Sequence, residues 1–473
     1  MATVAMGVFL ATIDGSIVNI ALPTLENDFA TNFQTVQWVQ LAYMLVITTL
    51  MLSMGRLADI VGKRLIYTAG LVIFTVGSTL CGFAPDIGWL IGFRVLQAIG
   101  AAMNMALGAA IVTEAFPPQE RGKALGVIGT IVSLGVIFGP VAGGLLIDAL
   151  SWHWIFFVNI PFGIAGTVMA PRFLPALKPS DTNQRFDYPG AFTLLLALVA
   201  LLLALTLGQS MGFGSMPIVL LFAAALIFLL TFILIEWKTR QPMINLSLFR
   251  NELMSVSLIM GFLSFITIAG TVLLIPFYLI NVLEYSTRSA GLLMAVVPVL
   301  LGLLAPIAGS LSDRFGTRII TLIGLVVLTI GYALLSFLNE NTSMLVYIAL
   351  FVPVGIGMGI FQSPNNSAIM GTAPRSQLGV VSGLLSESRV LGQTMGVALM
   401  GAFWAGRVFA HLGETLEQGA TAAPIAAQIA GLHDTFLMMS AMMGFATVLG
   451  IWGLVQSRRT TATPPSVATP LSD

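Results

Sequence analysis

Asp14 is the only charged residue in an apolar run, Ile13-Asp14-Gly15-Ser16-Ile17-Val18-Asn19-Ile20-Ala21-Leu22-Pro23. A carboxylate in such a run can carry a proton, and in lipid it is costly unless paired, protonated or hydrated. A hydrated side chain that never titrates is the alternative reading. A second run, Leu90 to Ala102, holds Arg94 and Gln97; with Ala101 and Asn104 they follow i, i+3, i+7, i+10, one face of a helix. Counted along helices at about 1.5 Å per residue, Asp14 and Arg94 lie at similar depths, about 13 and 9 Å from their outer ends. A guanidinium beside a carboxylate favours its charged form and desolvation disfavours it, the balance a proton-coupling group needs. A permanent structural ion pair is the alternative. A third cluster, Ser386-Glu387-Ser388-Arg389 followed by Gln393, places Glu387 about 12 Å deep. Glu387 reads as a second protonation or cation-sensing site, or else as a local pair with an Arg or a hydrated wall residue.

These residues need apolar elements to hold them, and the composition supplies little else. Of 473 residues, 57% are hydrophobic and 8% charged, against about 25% charged in soluble domains. So few charges cannot clothe a soluble fold of this size. Net charge is zero, so no nucleic-acid partner is indicated. The single cysteine, Cys81, excludes an internal disulfide and reads as an inert buried or lipid-facing thiol. His153, His411 and His433 lack metal-ligand spacing, with the latter two expected in a loop, and no metal is expected. With no nucleophile–base pair, GxxxxGK[ST] loop or filter-like segment, the chain reads as neither an enzyme nor a channel.

Apolar runs of about 20 residues, enough to cross a bilayer, fall near 3–22, 36–57, 65–84, 88–113, 123–147, 154–174 and 189–208. They continue near 217–236, 253–282, 289–311, 319–338, 344–370, 379–407 and 435–456, which gives about fourteen spans. No Lys or Arg precedes Arg56, so the first run is expected to be a retained span rather than a signal peptide. With the N-terminus inside, Arg288 and Arg407 fall outside, Arg94 and Arg389 within spans, and the other sixteen of the 20 basic residues in inner loops. That asymmetry sets the orientation, with both termini cytoplasmic.

Two inner loops match, GRLADIVGKR at 55–64 and GSLSDRFGTR at 309–318. Gly55/Gly309, Leu57/Leu311, Asp59/Asp313, Gly62/Gly316 and Arg64/Arg318 coincide. Each follows the second span of a six-span set if spans 7 and 8 are an insertion, a repeat typical of transporters that rock two halves about a midplane site. Gly55 and Gly62 are expected to allow a tight turn and close helix approach. Asp59 is expected to cap a helix N-terminus and pair with Arg or Lys.

The chain resembles the major facilitator superfamily, and within it the fourteen-span drug:proton antiporters, over nearly its whole length. The resemblance rests on the 55–64 loop, the helix-1 run around Asp14, the run around Arg94, and Gly135-Val136-Ile137-Phe138-Gly139-Pro140-Val141-Ala142-Gly143-Gly144. The last resembles the motif that separates antiporters from symporters and uniporters. Its glycines at 135, 139 and 143 make a smooth face for close packing, and Pro140 should bend the helix. Trp152-His153-Trp154-Ile155-Phe156-Phe157-Val158-Asn159-Ile160-Pro161 resembles a further signature, read as interfacial anchoring, although His153 stands where the family usually has Arg.

The resemblance implies an all-α membrane protein with six-helix bundles at 1–174 and 251–457, a 175–250 linker region with two inserted helices, and a disordered tail at 458–473. It implies proton coupling through Asp14 and Arg94, with Asn19, Gln97, Asn104, Gln362, Asn365, Arg389 and Gln393 around the cavity; Glu387, read from its depth as a further proton-coupling site, departs from the family, where that position is usually uncharged. Gly55, Asp59, Gly62, Arg64, Asp313, Arg314, Gly316 and Arg318 would form an inner conformational latch. The expected function is export of amphipathic or cationic drugs from the bacterial cytoplasmic membrane. The transporter would act as a monomer among lipids, driven by the proton gradient without a cofactor. Export of one metabolite, amino acid, siderophore or lipid is the alternative.

Overall fold

The computed structural model describes residues 1–115, 121–174, 187–239, 242, 246–372, 378–416 and 418–462, and all their regular structure is helical. The first helices are α1 (Ala2–Asp28), α2 (Phe33–Val61), α3 (Lys63–Gly82), α4 (Ile87–Ala115), α5 (Arg121–Ala149), α6 (Trp154–Phe157) and α7 (Asn159–Phe173). A hairpin follows, α8 (Tyr188–Met211) and α9 (Met216–Lys238). The remainder are α10 (Glu252–Phe277), α11 (Thr287–Met294), α12 (Val296–Phe315), α13 (Thr317–Leu335), α14 (Met344–Gly371), α15 (Leu378–Leu412) and α16 (Ile425–Ala462). Polar caps start several of them. Asn32, Asp187, Asn251, Ser286 and Ser343 each accept a backbone N–H of the following turn, satisfying a donor that lipid cannot.

Among the described residues, twelve helical segments are long and apolar enough to cross a bilayer. α2, whose pieces Phe33–Met51 and Ser53–Val61 meet at 50°, makes a thirteenth. The span expected at 123–147 falls on α5, where the apolar stretch is the shorter Leu134–Ala149 and the side chains of 121–126 lie outside the described residues. The chain is a multi-pass membrane protein.

Helix pairings repeat along the chain. α1 packs on α4, α5 and α7, and α10 packs on α14, α15 and α16. Likewise α2·α4, α3·α4 and α3·α7 recur as α12·α14, α13·α14 and α13·α16. The two groups meet through α2·α15 and α5·α11, and α8 packs against both α2 and α15.

The matching loops share a backbone. Gly62 and Gly316 have φ +113° and +90°, each a one-residue break between helices where a Cβ would be strained. Other expectations for these loops need correcting. A Cβ on Gly55 would meet no atom within 4 Å, so no close approach explains that glycine. Asp59 caps no helix; it lies in the last turns of α2 and pairs with Lys63 at 3.0 Å. Gly62, with no side chain to offer, is the N-cap of α3. His411 and His433 are in α15 and α16, not in a loop. α16 runs on through 458–462, where a disordered tail was expected, and 463–473 lie outside the described residues.

Candidate functional site

The sequence pattern around Asp14 and Arg94 becomes one enclosed polar node. Asp14 on α1 and Arg94 on α4 form an ion pair with both side chains at 0% exposure. Gln97, one turn beyond Arg94, donates from Nε2 to Asp14 Oδ1 at 2.7 Å and accepts from Arg94 Nη1 at 2.7 Å. Arg94 Nε donates to the Val39 carbonyl of α2 at 3.0 Å, and the guanidinium lies 3.9 Å from the Tyr43 ring centroid. A buried ion pair is tolerable only when further hydrogen bonds satisfy both partners, and these do so for the carboxylate. Arg94 Nη2 is left without a partner.

Three contributors were not read from the sequence as part of this node. Asn159, the first residue of α7, donates to Asp14 Oδ1 at 3.1 Å and to Ser78 Oγ at 3.1 Å. Ser78 on α3 donates to the Phe156 carbonyl at 2.9 Å. Tyr43 donates to the Ala11 carbonyl at 3.2 Å while stacking on Arg94. The signal for Asn159 was present, an amide inside the Trp152–Pro161 run, but only the aromatic anchors were read there. Those anchors pack inward on one side, with Trp152 buried and stacked on His153 at 3.8 Å. His153 lies outside the spans, and burial lowers its pKa below the ordinary value. Cys81 is buried beside the node, with Sγ 3.7 Å from Gln97 Oε1.

None of Asp14, Arg94, Gln97 or Asn104 opens onto a lumen, since each is at 0% exposure. Gln97 and Asn104 were expected to line a cavity; in this conformation helix packing closes over both. Asn104 finds no partner for either amide atom. Asn19 is buried and donates to the Gly15 carbonyl of its own helix at 3.0 Å. In the second group of helices, Asn365 ties α14 to the Ser257 carbonyl of α10 at 3.1 Å. Gln362, Arg389 and Gln393 are half-buried, and Arg389 lies 3.5 Å from Ser386 Oγ. Glu387 is buried at 4% exposure, and its Oε2 has no hydrogen-bond partner. No hydrogen bond or ion pair among the described residues joins Glu387 to the Asp14 node.

α5 carries the Asp14 helix. A Cβ at Gly135, Gly139 or Gly143 would overlap Thr12, Ser16 or Ile20 of α1, and Ser16 Oγ donates to the Gly135 carbonyl at 2.9 Å. The same helix turns another edge to the opposite group. Gly144 packs on the Thr287 carbonyl and Gly291 on the Pro140 carbonyl, contacts too close for any side chain. Further ties between the groups are Thr48 to Thr394 at 3.1 Å, Phe33 between Phe277 and Trp404, and Thr421 to Glu26.

The loop charges act inside each group. Lys63 joins Asp59 of α2 and Glu114 of α4. Arg64 donates to the Pro171 carbonyl of α7, and Arg318 donates to the Gly453 carbonyl of α16 at 2.6 Å. Among the described residues neither Asp313 nor Arg314 forms an ion pair, and the Arg56 side chain lies outside them.

The comparisons agree with this architecture. Residues 4–397 match the family model of the Major Facilitator Superfamily. The chain is 39% identical over 402 residues to the riboflavin transporter RibZ of Clostridioides difficile (strain 630), covering 85% of this chain and 87% of that one. It is 32% identical over 436 residues to the multidrug transporter protein MdtP of Bacillus subtilis (strain 168), covering 91% and 80%. Among solved structures, a bacterial homologue of the human lysosomal transporter Spinster, in an inward-facing and unoccupied conformation, aligns with TM-score 0.66 at 18% identity over 98% of both chains. That last likeness concerns the fold. The matched family model extends through both groups of helices and its members are transporters, not enzymes: the chain belongs to the Major Facilitator Superfamily.

Proposed function

We propose that this chain is a fourteen-span drug:proton antiporter that exports amphipathic or cationic compounds by alternating access. It would act as a monomer in a bacterial cytoplasmic membrane with both termini inside. The reading takes 1–174 and 251–457 as the rocking bundles and the α8–α9 hairpin as the insertion between them. The observation that carries it is the Asp14 carboxylate, sealed between Arg94, Gln97 and Asn159 on a helix seated against α5.

A proton on Asp14 Oδ2 removes the Coulombic hold on Arg94, which keeps the Val39 carbonyl and Gln97 Oε1 as acceptors. α1 is then less tightly drawn to α4. Because α1 rides on the Gly135–Gly143 face of α5, its movement reaches the Gly144–Thr287 and Pro140–Gly291 contacts that close the outer side. Protonation state and access are linked through one packed helix. Glu387, on the opposite bundle, is the second proton carrier or the contact for a cationic cargo, with Gln362, Asn365, Arg389 and Gln393 on the same side. The Asp59–Lys63–Glu114 and Arg64–Pro171 ties brace four helices of the first bundle so that it moves as a unit.

Export of a defined metabolite is the second reading, favoured by the likeness to a riboflavin transporter. A cargo scan separates the two. Proteoliposomes under an imposed pH gradient are tested with tetraphenylphosphonium, ethidium and riboflavin. Uphill movement of both unrelated cations supports the drug exporter; movement of riboflavin alone supports the metabolite carrier.

A further inference from the structure

On α2, Phe33, Gln37 and Gln40 follow i, i+4, i+7, one face, and the stripe continues to Thr48. It lies in the seam against the opposite bundle. Phe33 sits edge-on to Phe277 at 5.0 Å and Trp404 at 4.8 Å. One turn deeper, a Cβ on Gly401 of α15 would overlap the Gln37 amide. Gln37 is at 0% exposure, and neither its Oε1 nor its Nε2 has a partner. Gln40 donates to the Gly15 carbonyl at 2.9 Å, yet its Oε1 is also unpartnered.

A buried amide with both atoms unpaired is costly, and a leucine of similar size would fill the space without that cost. The geometry keeps Gln37 unsatisfied only while the seam is shut. Opening the outer side parts α2 from α15 and frees the amide, with Phe33 and Trp404 beside it. We propose that Gln37 is a specificity-determining residue of the outward-open state, contacting a cargo with a neutral, planar, donor–acceptor edge: a lactam, imide or amide. A carboxamide presents one donor and one acceptor side by side, matching such an edge, and offers no countercharge to a cation. The aromatic rings supply stacking surface for the same planar group. Asp14 is already engaged by Arg94, Gln97 and Asn159 and adds no acceptor here. The assignment rests on the alternating-access reading above.

The test compares wild type, Gln37→Leu and Gln37→Asn in proteoliposomes with two probes, riboflavin as the neutral imide and tetraphenylphosphonium as the cation. The expected result is a KM for riboflavin raised about ten-fold in Gln37→Leu, with partial recovery in Gln37→Asn and the cation's KM within two-fold of wild type. Equal losses for both probes would make Gln37 a gate element only and overturn the assignment, as would an unchanged riboflavin KM. A wild type that carries the cation but not riboflavin also overturns it, leaving the transporter reading intact. A wild type that carries neither overturns the assignment together with the drug-exporter reading of the cargo.

Discussion

Asn159 reaches Asp14 Oδ1 across 3.1 Å from a different helix, and the same amide nitrogen holds Ser78 Oγ at 3.1 Å. The contact links the start of α7 to α1 and α3, so the carboxylate is positioned by the bundle rather than by its own helix. Asn159→Ala is expected to cost about 1 kcal/mol of stability, the usual net worth of such a bond. Proton-coupled transport should slow while the KM for cargo stays within two-fold. Thermal unfolding and initial-rate kinetics in proteoliposomes check both; a large KM change would place Asn159 at the cargo instead.

Gly139 is expected to admit no larger residue. Its Cβ would overlap Ser16, whose hydroxyl already donates to the Gly135 carbonyl. Gly139→Ala should destabilise by about 1–3 kcal/mol through overpacking, and Ser16→Gly in the same chain should recover most of it. Thermal unfolding in detergent checks the pair. Full stability of the single variant would mean that α5 does not seat on α1 as described.

How much of this could be read beforehand depended on how local the signal was. Arg94 and Gln97 share one helix face at i, i+3, so their joint action was visible in the sequence, and Asp14 was matched to them by depth. Asn159, Ser78 and Tyr43 were not found, because their link to Asp14 depends on which helices become neighbours. Gly62 was legible as a turn residue, since positive φ is a local demand, and Gly316 matches it in the repeat. Asp59 was expected both to cap a helix and to pair with Arg or Lys; the pairing, to Lys63 four residues on, is observed, and the cap is not. Gly144 showed its membership of a small-residue run but not that it faces another bundle.

The repeated loops predict matched costs. Gly62→Ala and Gly316→Ala should each lose about 1–2 kcal/mol, because each places a Cβ on a left-handed backbone. Arg64→Ala and Arg318→Ala should each detach the third helix of a bundle from the carbonyl it holds on the sixth. Hydrogen exchange around Pro171 of α7 and Gly453 of α16 reports this. Protection unchanged in both would remove the bracing role.

The hairpin predicts a labelling pattern. On α8, Leu194, Leu198, Leu202 and Leu205 are buried, and α8 packs on α2 and α15. On α9, Leu226, Leu230 and Leu234 are exposed. Cysteines at the α9 positions should react with lipid-soluble thiol reagents, and neither set should react with water-soluble ones in any transport state. Cargo-protected labelling of α8 by a water-soluble reagent would put the hairpin on the transport path.

In the proposed antiport cycle Asp14 carries the coupled proton. Asp14→Asn keeps the shape and the acceptor for Arg94 but leaves a buried guanidinium without a countercharge, at a cost of about 3–5 kcal/mol. Asp14→Asn with Arg94→Gln removes both charges and should restore most of that stability. The decisive measurement is cargo-driven proton movement across proteoliposomes containing wild type, the single variant or the double variant, each first shown to be folded and inserted. Proton flux is expected with wild type alone, and no uphill cargo transport by either variant. Wild-type proton flux in the stable double variant would contradict it and place the coupling carboxylate elsewhere, with Glu387 the first to examine.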